Sequence, residues 1–391
     1  MISKFLNPEI QIFINQNIGT DISKLALQKN PFPNIDFVMI LNQIVAKTKA
    51  KQKLPTFFDT ENIIYPSKIS IEQTSSEITA QYKSKIISGT SLIDLTGGFG
   101  VDDFYFSKKI ENVVHCEINS ELSEIVNHNF EVLGIKNIEC KNGNSFDILE
   151  IKNQKFDWIY IDPSRRNDAK GKVFMLKDCV PNVPDNLDFY FKYSKNILIK
   201  TAPILDISAG LSELKNVKRI HIIAIDNEVK ELLWEIEKNY IDEIEIKTSN
   251  INTEIESKFS FILNSNQNNP KFGLPKKYLF EPNAAIMKSG GFNEIGIEYN
   301  LEKLHPFSHL YTSNETTIFP GRIFEIEKCI SYKKKEMKWF QNQKLNITTR
   351  NFPESVENIQ KKWNIKDGGN QYCFFTTDVN DKKIVLICRK L

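Results

Sequence analysis

The segment Leu92–Asp102 constrains the fold of this chain more than any other feature. It reads LIDLTGGFGVD, an apolar run that ends in an acid and a glycine turn. A second apolar run, Val113–Glu117, also ends in an acid, and a third, Trp158–Pro163, ends in Asp-Pro. Such a series is typical of parallel strands whose carboxyl ends hold a nucleotide-shaped cofactor.

The region around these runs alternates strand-like and helix-like patterns from about Ser67 to Ser265. Helical stretches include Asp102–Lys109 and Ser120–Leu133. The predicted strands are residues 91–95, 113–117, 137–140, 156–161, 196–200, 219–225 and 258–263. The alternation predicts an α/β fold with a Rossmann-like, doubly wound sheet and a ligand at the strand ends.

Different patterns flank this region on both sides. Apolar spacing predicts helices from Asn7 to about Ala50, and Thr56–Pro66 looks like a connecting segment. The polar run Asn264–Pro270 interrupts the alternation and marks a boundary. Beyond it, the patterns predict α+β structure, with a strand at Ile323–Tyr332, a helix at Pro353–Trp363 and a hairpin formed by Tyr372–Thr377 and Lys383–Arg389.

Composition excludes several classes of protein. The longest apolar runs, such as Ile220–Ile225, have the length of a strand and are far too short to span a bilayer. The N-terminus has neither a long apolar core nor a small-residue cleavage site, so we predict a cytoplasmic protein without membrane association. The six cysteines show no CxxC spacing and the five histidines no HxxxH spacing, so we expect no bound metal.

The glycine turn is the first group of candidate cofactor-binding residues. Glycines let the backbone turn tightly and approach a ligand closely. Asp103 stands where a dinucleotide-binding turn has its third glycine, and acids at this helix start would repel a pyrophosphate. S-adenosylmethionine (SAM) carries no phosphate and has a cationic amino group, so we predict SAM. The candidate ligands here are Asp94, Thr96, Gly97, Gly98, Gly100 and Asp102.

Further cofactor candidates follow or precede neighbouring strands. Glu117 closes the second strand, where its carboxylate can accept hydrogen bonds from ribose hydroxyls, or it simply caps the next helix. Asn144 and Ser145 follow the third strand and suit the adenine amino group, although turn residues are expected there in any case. Before the first strand, Ser75 or Ser76 can cap a helix that starts near Glu77. This helix start would bring Gln73, Ser76 and Glu77 to the strand ends, with Glu77 against the ammonium group of SAM.

Asp162 and Pro163 end the fourth strand and are the candidate reaction site. A carboxylate and the carbonyl beside Pro163 can hold an amino group with its nitrogen lone pair toward a methyl donor. No strong base is needed, because the nitrogen can lose its proton late to Asp162 or to water.

Taken together, Asp94–Gly100, Glu117 and Asp162-Pro163 resemble the motifs of class I SAM-dependent methyltransferases. The Ser75–Glu77 segment resembles the Thr-Pro-Glu element of the cap-guanine and related amino-methyltransferases. A closer resemblance is to a Bacteroidetes methyltransferase family, and it rests on five segments: Glu72–Glu77, Lys200–Pro203, Glu281–Ala285, Phe319–Arg322 and Arg350–Pro353.

In that family the catalytic domain precedes a ferredoxin-like insert and a THUMP-like domain. The resemblance therefore implies four parts: a helical region at residues 1–66, a methyltransferase domain at 67–268, a ferredoxin-like insert at 269–320 and a THUMP-like domain at 321–391. It implies fold and cofactor more directly than substrate.

One departure from the related amino-methyltransferases concerns the residues after Asp162-Pro163. Those enzymes have a second proline and an aromatic ring that stacks on the target base, whereas this chain has Ser164 and Arg165. A guanidinium plane can also stack on a base, and Arg165 or Arg166 can bind a phosphate. We therefore take Arg165 as a candidate catalytic residue and both arginines as candidate substrate-binding residues, the alternative being structural pairing with acids such as Asp168.

The C-terminal part is basic. From Phe324 to Leu391 there are 14 lysines and arginines against 8 acids, a net charge of +6. Local basicity and interleaved aromatic residues suit RNA, although a solvated lysine face is an alternative. The candidate RNA contacts are Lys333, Lys334, Lys335 and Arg350.

Three functions compete on these patterns. The first is an RNA methyltransferase that modifies a nitrogen of a structured rRNA or tRNA. The second is a protein or small-molecule methyltransferase, in which the C-terminal domain only shapes the pocket. The third is a non-catalytic RNA-binding protein that retains SAM binding.

Overall fold

The computed structural model describes residues 2–66, 71–165, 175–253, 255–264 and 269–391, with only the backbone of Arg165. The chain divides into two compact units. The first unit comprises Met1–Val217 and Trp234–Ile241, and the second comprises Lys218–Leu233 and Asp242–Leu391.

The first unit begins with helices, as predicted. They are α1 (Ile2–Phe5), α2 (Pro8–Gln16), α3 (Ile22–Ala26), α4 (Phe37–Lys53), α5 (Pro55–Asp59) and α6 (Glu77–Ser84). Asn7, Asp21 and Asp36 each accept a backbone hydrogen bond at a helix start. Helix α5 lies within the predicted connecting segment, where Pro55 in the first turn favours a helix start.

The alternating region follows. Its elements are β1 (Ser91–Asp94), α7 (Val101–Phe106), β2 (Asn112–Glu117), α8 (Ser120–Val132), β3 (Ile138–Asn142), α9 (Ser145–Lys152), β4 (Phe156–Ile161), β5 (Ser164–Arg165), β6 (Cys179–Val180), α10 (Val183–Tyr190), β7 (Ser194–Thr201), α11 (Ile207–Glu213), β8 (Val217–Ile225), β9 (Glu228–Glu237), β10 (Glu245–Ile251) and β11 (Glu256–Ile262).

The predicted doubly wound sheet is confirmed in the first unit. Its strands run in the order β3-β2-β1-β4-β7, followed by the end of β9. The first five pair in parallel, so that their carboxyl ends lie at one edge. The N-terminal helices share a buried core with α7 and α8, to which Ile44, Phe57, Phe104 and Phe130 contribute.

Strand β9 was not among the strands predicted from the sequence. It begins at Glu228, and Glu231 within it is buried. Asp226 and Asn227, both with left-handed backbone angles, form a two-residue turn between β8 and β9. That conformation is typical of the tight turn of a hairpin. In the second unit β8 is followed in the sheet by β10 and then β11.

The rest of the second unit is α+β. The elements are β12 (Tyr278–Pro282), α12 (Ala284–Ser289), α13 (Glu294–Glu298), β13 (Glu302–Lys303), β14 (Tyr311–Ser313), β15 (Gly321–Ser331), α14 (Lys334–Met337), β16 (Asn346–Arg350), α15 (Val356–Trp363), β17 (Gln371–Thr377) and β18 (Lys383–Lys390). Its seven strands form one sheet in the order β13-β14-β12-β15-β18-β17-β16. The predicted strand, helix and hairpin correspond to β15, α15 and β17–β18.

The structure also bears on membrane association. Among the described residues, no helix is both long and apolar enough to cross a bilayer.

Candidate functional site

A polar cleft lies at the carboxyl ends of β1 and β4 in the first unit and encloses about 100 Å³. Three segments contribute to it: the turn before α6, the glycine turn after β1, and the end of β4. The lining residues are Gln73, Thr74, Ser75, Asp94, Thr96, Gly97, Gly98, Phe99, Gly100, Val101, Asp102, Tyr160 and Asp162. Eight predicted site residues are thereby brought together, from Gln73 to Asp162.

The glycine turn is held closely against β2. Gly97 N donates to Cys116 O at 2.9 Å, and Gly98 N donates to Glu117 Oε2 at 3.1 Å. A Cβ on Gly97 would lie 2.2 Å from the His115 ring, so only glycine fits there. Gly98 and Gly100 both adopt left-handed angles that glycine tolerates best.

Glu117 supports the turn and does not itself line the cleft. Its Oε2 accepts from Gly98 N, and its Oε1 accepts from Asn119 N at 2.7 Å. Helix α8 is capped by Asn119, whose side chain accepts from Leu122 N at 3.0 Å, so the alternative that Glu117 caps this helix is wrong. Each carboxylate oxygen has a second lone pair, so the group keeps acceptor capacity at the strand end.

Beneath the turn lies a buried trio formed by Asp94, Asp103 and His115. His115 Nδ1 is 2.6 Å from Asp103 Oδ2, and Asp94 Oδ1 accepts from Thr96 N at 2.7 Å. Burial raises the pKa of Asp94, and the repulsion of Asp103 adds to the effect. Burial also raises the pKa of Asp103 and lowers the pKa of His115. Burial therefore favours the neutral form of all three side chains.

The Asp102 carboxylate also forms hydrogen bonds and an ion pair with neighbouring side chains. Its Oδ2 accepts from Ser75 Oγ and Tyr160 OH, each at 2.8 Å, and its Oδ1 lies 3.0 Å from the buried Lys83 Nζ. We expected the two acids of α7 to present free negative charge to a ligand. Instead Asp103 turns inward to His115 and Asp102 is neutralised by Lys83, so both organise the cleft wall.

Asp162 lies beside an ammonium group that the sequence analysis did not select. Asp162 N donates to Thr96 Oγ1 at 2.7 Å, and Asp162 Oδ2 forms an ion pair with Lys200 Nζ. Lys200 is the penultimate residue of the neighbouring strand β7, whose residue Ile199 pairs in register with Ile161. The position of Lys200 near the end of a strand, within the quoted segment Lys200–Pro203, was the signal that could have identified it.

Several predicted residues are not part of the cleft lining. The Glu77 carboxylate accepts from Thr56 N at 2.7 Å, from Thr56 Oγ1 at 2.8 Å and from Tyr105 OH at 2.6 Å. It therefore attaches α5 to α6, which corrects the expectation that it faces an ammonium group. Ser76 is the predicted cap and accepts from Thr79 N.

The remaining predicted residues of the first unit lie near strand ends. Asn144 caps α9 by accepting from Phe146 N at 2.9 Å, and Ser145 begins that helix. Pro163 is buried directly after Asp162. The backbone of Arg165 pairs with Cys179 in β5–β6, and the Arg165 side chain and Arg166 lie outside the described residues.

The predicted RNA contacts belong to the second unit. Lys333, Lys334 and Lys335 are exposed at the start of α14. Arg350 differs from the expectation of a free basic residue, because its Nη2 donates to Glu281 Oε1 at 3.0 Å.

Comparison with known proteins agrees with this architecture. Family models match residues 278–320 as a ferredoxin-like domain and residues 321–390 as a THUMP domain-like region. A search of curated proteins finds no match. A crystal structure from Porphyromonas gingivalis W83, described as a candidate methyltransferase, shares 29% identity over 98% of this chain and 97% of that chain, with a TM-score of 0.87.

More distant structures share only part of the chain. M. capricolum TrmK in complex with S-adenosyl-homocysteine is 20% identical over 42% of this chain and 70% of that chain, with a TM-score of 0.32. Escherichia coli yhhF, also described as a candidate methyltransferase, is 16% identical over 45% of this chain and 92% of that chain, with a TM-score of 0.33. The fold assignment rests on the P. gingivalis structure and the family models: the chain shares the methyltransferase fold of that protein over nearly its whole length and has ferredoxin-like and THUMP-like regions at its C-terminus.

Proposed function

We propose that this protein is a SAM-dependent methyltransferase that modifies a nitrogen of a structured RNA, such as an rRNA or a tRNA. The observation that carries the proposal is the cleft, in which the glycine turn after β1 adjoins Asp162 at the end of β4. Parallel strands that end at a topological switch point are the usual place for a nucleotide-like cofactor beside its reaction partner.

The residues of the cleft fit SAM better than a dinucleotide. No lysine or arginine is among the described residues that line it, so a pyrophosphate would find no cationic partner in that wall. Glu117 retains acceptor capacity for ribose hydroxyls, and Asn144 lies at the end of the adjacent strand β3. SAM supplies an electrophilic methyl group on a sulfonium when it is bound.

The acceptor nitrogen would be held by Asp162. Its carboxylate and its backbone carbonyl, which precedes Pro163, both accept hydrogen bonds from an amino group, and this directs the nitrogen lone pair toward the methyl donor. The ion pair with Lys200 fixes the orientation of the carboxylate. The proton released from the nitrogen passes to Asp162 or to water.

The second unit supports RNA as the substrate class. The exposed residues Lys333, Lys334 and Lys335 precede Trp339 by four to six residues, and Trp339 is 46% exposed. Lysines attract phosphates and an exposed ring can stack on a base, so this surface suits an RNA strand. Arg165 and Arg166 would contact the target nucleotide.

Titration calorimetry tests the cofactor assignment. We expect SAM to bind and NADH not to bind, and Glu117→Ala should reduce SAM affinity by about 1.5–3 kcal/mol, the loss expected for hydrogen bonds to a charged group. Tighter binding of NADH than of SAM would contradict the assignment.

Methyl transfer to total RNA tests the activity. Asp162→Ala should abolish transfer from labelled SAM while it leaves SAM binding measurable. If neither the wild-type protein nor the variant transfers methyl to RNA but both bind it, the protein is a non-catalytic RNA-binding protein.

Charge reversal at Lys333, Lys334 and Lys335 tests RNA docking. Binding should weaken, and the slope of log affinity against log salt should decrease by about 0.7–0.9 for each lost phosphate contact. SAM affinity should not change. Unchanged RNA binding at every salt concentration would favour a protein or small-molecule substrate.

A further inference from the structure

A buried glutamate in the second unit holds two arginines side by side. Glu281, on β12, is 3% exposed. Arg322 Nε donates to Glu281 Oε2 at 2.8 Å, and the Nη2 atom of the same arginine contacts that oxygen as well. Arg350 Nη2 donates to the other oxygen, Oε1, at 3.0 Å. We name these three residues the arginine clasp.

The clasp joins three segments that lie far apart in the chain. Glu281 and Arg322 are direct cross-strand partners on β12 and β15. Arg350 ends β16, which three strands separate from β12 in the sheet. Gly321 permits the close approach of the first two strands, since a Cβ there would lie 2.1 Å from Glu281 O.

The charge of the clasp is not balanced. Two guanidinium groups face one carboxylate, which leaves a net charge of +1 on these three side chains. The arginines remain about one-third exposed, with side-chain values of 38% for Arg322 and 33% for Arg350, whereas the carboxylate is covered. A ligand would therefore meet the positive groups and not the negative one.

The arginines also keep unused hydrogen-bond donors. Each guanidinium has five N–H donors, and the carboxylate occupies only part of them. Arg350 Nε is buried without a hydrogen-bond partner among the described residues. The Arg322 guanidinium is further held 5.4 Å above the Phe324 ring, so its plane is fixed before any ligand binds.

The surroundings of the clasp favour an anion. Burial together with the positive charges of Lys303 and Arg350 lowers the pKa of His309 to about 4. His309 therefore stays neutral near pH 7 and can act as a hydrogen-bonding neighbour. A planar guanidinium group can donate two parallel N–H bonds to two oxygens of one phosphate. Two such groups side by side therefore suit a phosphate ligand.

We propose that the arginine clasp is a binding site for a phosphodiester group of the RNA, preorganised by Glu281. This inference rests on the proposed RNA substrate and adds a specific contact to it, separate from Lys333–Lys335. Glu281 acts as a positioning residue, because its carboxylate fixes the guanidinium groups of Arg322 and Arg350 and does not itself contact the ligand.

The test measures the binding of fluorescein-labelled mixed bacterial tRNA to the full-length protein by anisotropy across a salt series. Arg350→Gln should lower the salt slope by about 0.7–0.9, which corresponds to about four- to six-fold weaker binding near 0.15 M salt. Arg389→Gln is the matched control, because it removes the same charge from an exposed pair with Glu325 on the same sheet. It should change binding by less than about twofold.

Glu281→Gln separates ligand binding from a structural role. The amide nearly preserves the shape of the side chain and leaves both guanidinium charges in place, so the salt slope should not fall as it does for Arg350→Gln. A salt slope lowered to the value expected for Arg350→Gln would mean that the arginines act only through the fold, and the proposal would be wrong. This variant decides the question alone if Arg350→Gln does not fold.

Two further outcomes are distinguishable. If the wild type binds tRNA but Arg350→Gln and Arg389→Gln behave alike, only the clasp proposal fails. If the wild type binds neither tRNA nor total rRNA at low salt, RNA as a substrate fails and the clasp proposal fails with it, while SAM calorimetry still reports on the methyltransferase assignment.

Discussion

Replacing Gly97 by alanine tests whether the buried His115 ring determines the shape of the glycine turn. Gly97 does not have a left-handed backbone angle, so an alanine there costs nothing in backbone strain. Its Cβ would lie 2.2 Å from His115 Cε1 and 2.3 Å from Nδ1, whereas ordinary contacts are 3.4–4 Å. The ring therefore has to move, or the turn has to open.

The ring has little freedom to move. His115 is fully buried, its Nδ1 is 2.6 Å from Asp103 Oδ2, and it packs edge-on against Phe130. Overpacking of a core costs about 1–3 kcal/mol. Loss of a hydrogen bond between neutral groups adds about 0.5–1.5 kcal/mol. We therefore expect Gly97→Ala to lower the free energy of unfolding by about 1.5–4.5 kcal/mol.

Urea denaturation of a double-mutant cycle measures this effect. In a His115→Ala background the space of the ring is empty, so Gly97→Ala should cost less than about 1 kcal/mol, the range of surface substitutions. If Gly97→Ala costs the same in both backgrounds, contact with His115 is not the reason for the glycine, and the steric argument is refuted.

Three further predictions follow from individual contacts. Glu77→Gln should lower the free energy of unfolding by about 1.5–3 kcal/mol in urea denaturation, because the carboxylate joins α5 to α6. SAM affinity measured by calorimetry should stay within about twofold of the wild type, and a large loss of affinity would restore a cofactor role for Glu77. Lys200→Met should reduce methyl transfer at least about tenfold at unchanged SAM affinity, since Asp162 loses its orienting partner; full activity would exclude that role. His309, with its pKa lowered from 6.5 to about 4, makes the folded protein bind fewer protons than the unfolded chain between these values. Stability should therefore decrease as pH falls through this window, and His309→Gln should flatten the decrease in denaturation at pH 7 and pH 5; an unchanged profile would contradict the pKa shift.

Much of the fold could be predicted from local patterns. The strand Phe156–Ile161 and the helix from Ser120 agree with the structure nearly to the residue, because apolar runs and helix caps are encoded within a few neighbouring positions. Strand β9 was not predicted. Its charged residues resemble a helical ion-pair pattern, and only the two-residue turn at Asp226-Asn227 indicates a hairpin.

For the candidate site, the sequence predicts the positions of the main residues but not their side-chain partners. The glycine turn and Asp162 follow from their places after apolar runs, since parallel strands bring their carboxyl ends to one edge. The partners of these residues do not follow. Lys83 lies on α6, the helix that precedes β1 in the chain, and no spacing indicates that it pairs with Asp102. Lys200 lies on β7, the strand beside β4 in the sheet, and the sequence shows only its place near a strand end, not its pairing with Asp162.

By itself, the sequence determined the order of strands and helices, the glycine turn and the acids at the strand ends, because these depend on backbone conformation and on the period of apolar residues. Only the tertiary structure decided which acids remain available. In the sequence, Glu77, Asp103 and Asp162 are all carboxylates beside a predicted strand or helix end. Packing directs the Glu77 carboxylate to Thr56 and the Asp103 carboxylate to His115. The arginine clasp arises in the same way, since β12, β15 and β16 have to take their places in one sheet before Glu281 meets Arg322 and Arg350. Side-chain electrostatics depends on distances through space, and those exist only once the chain has folded.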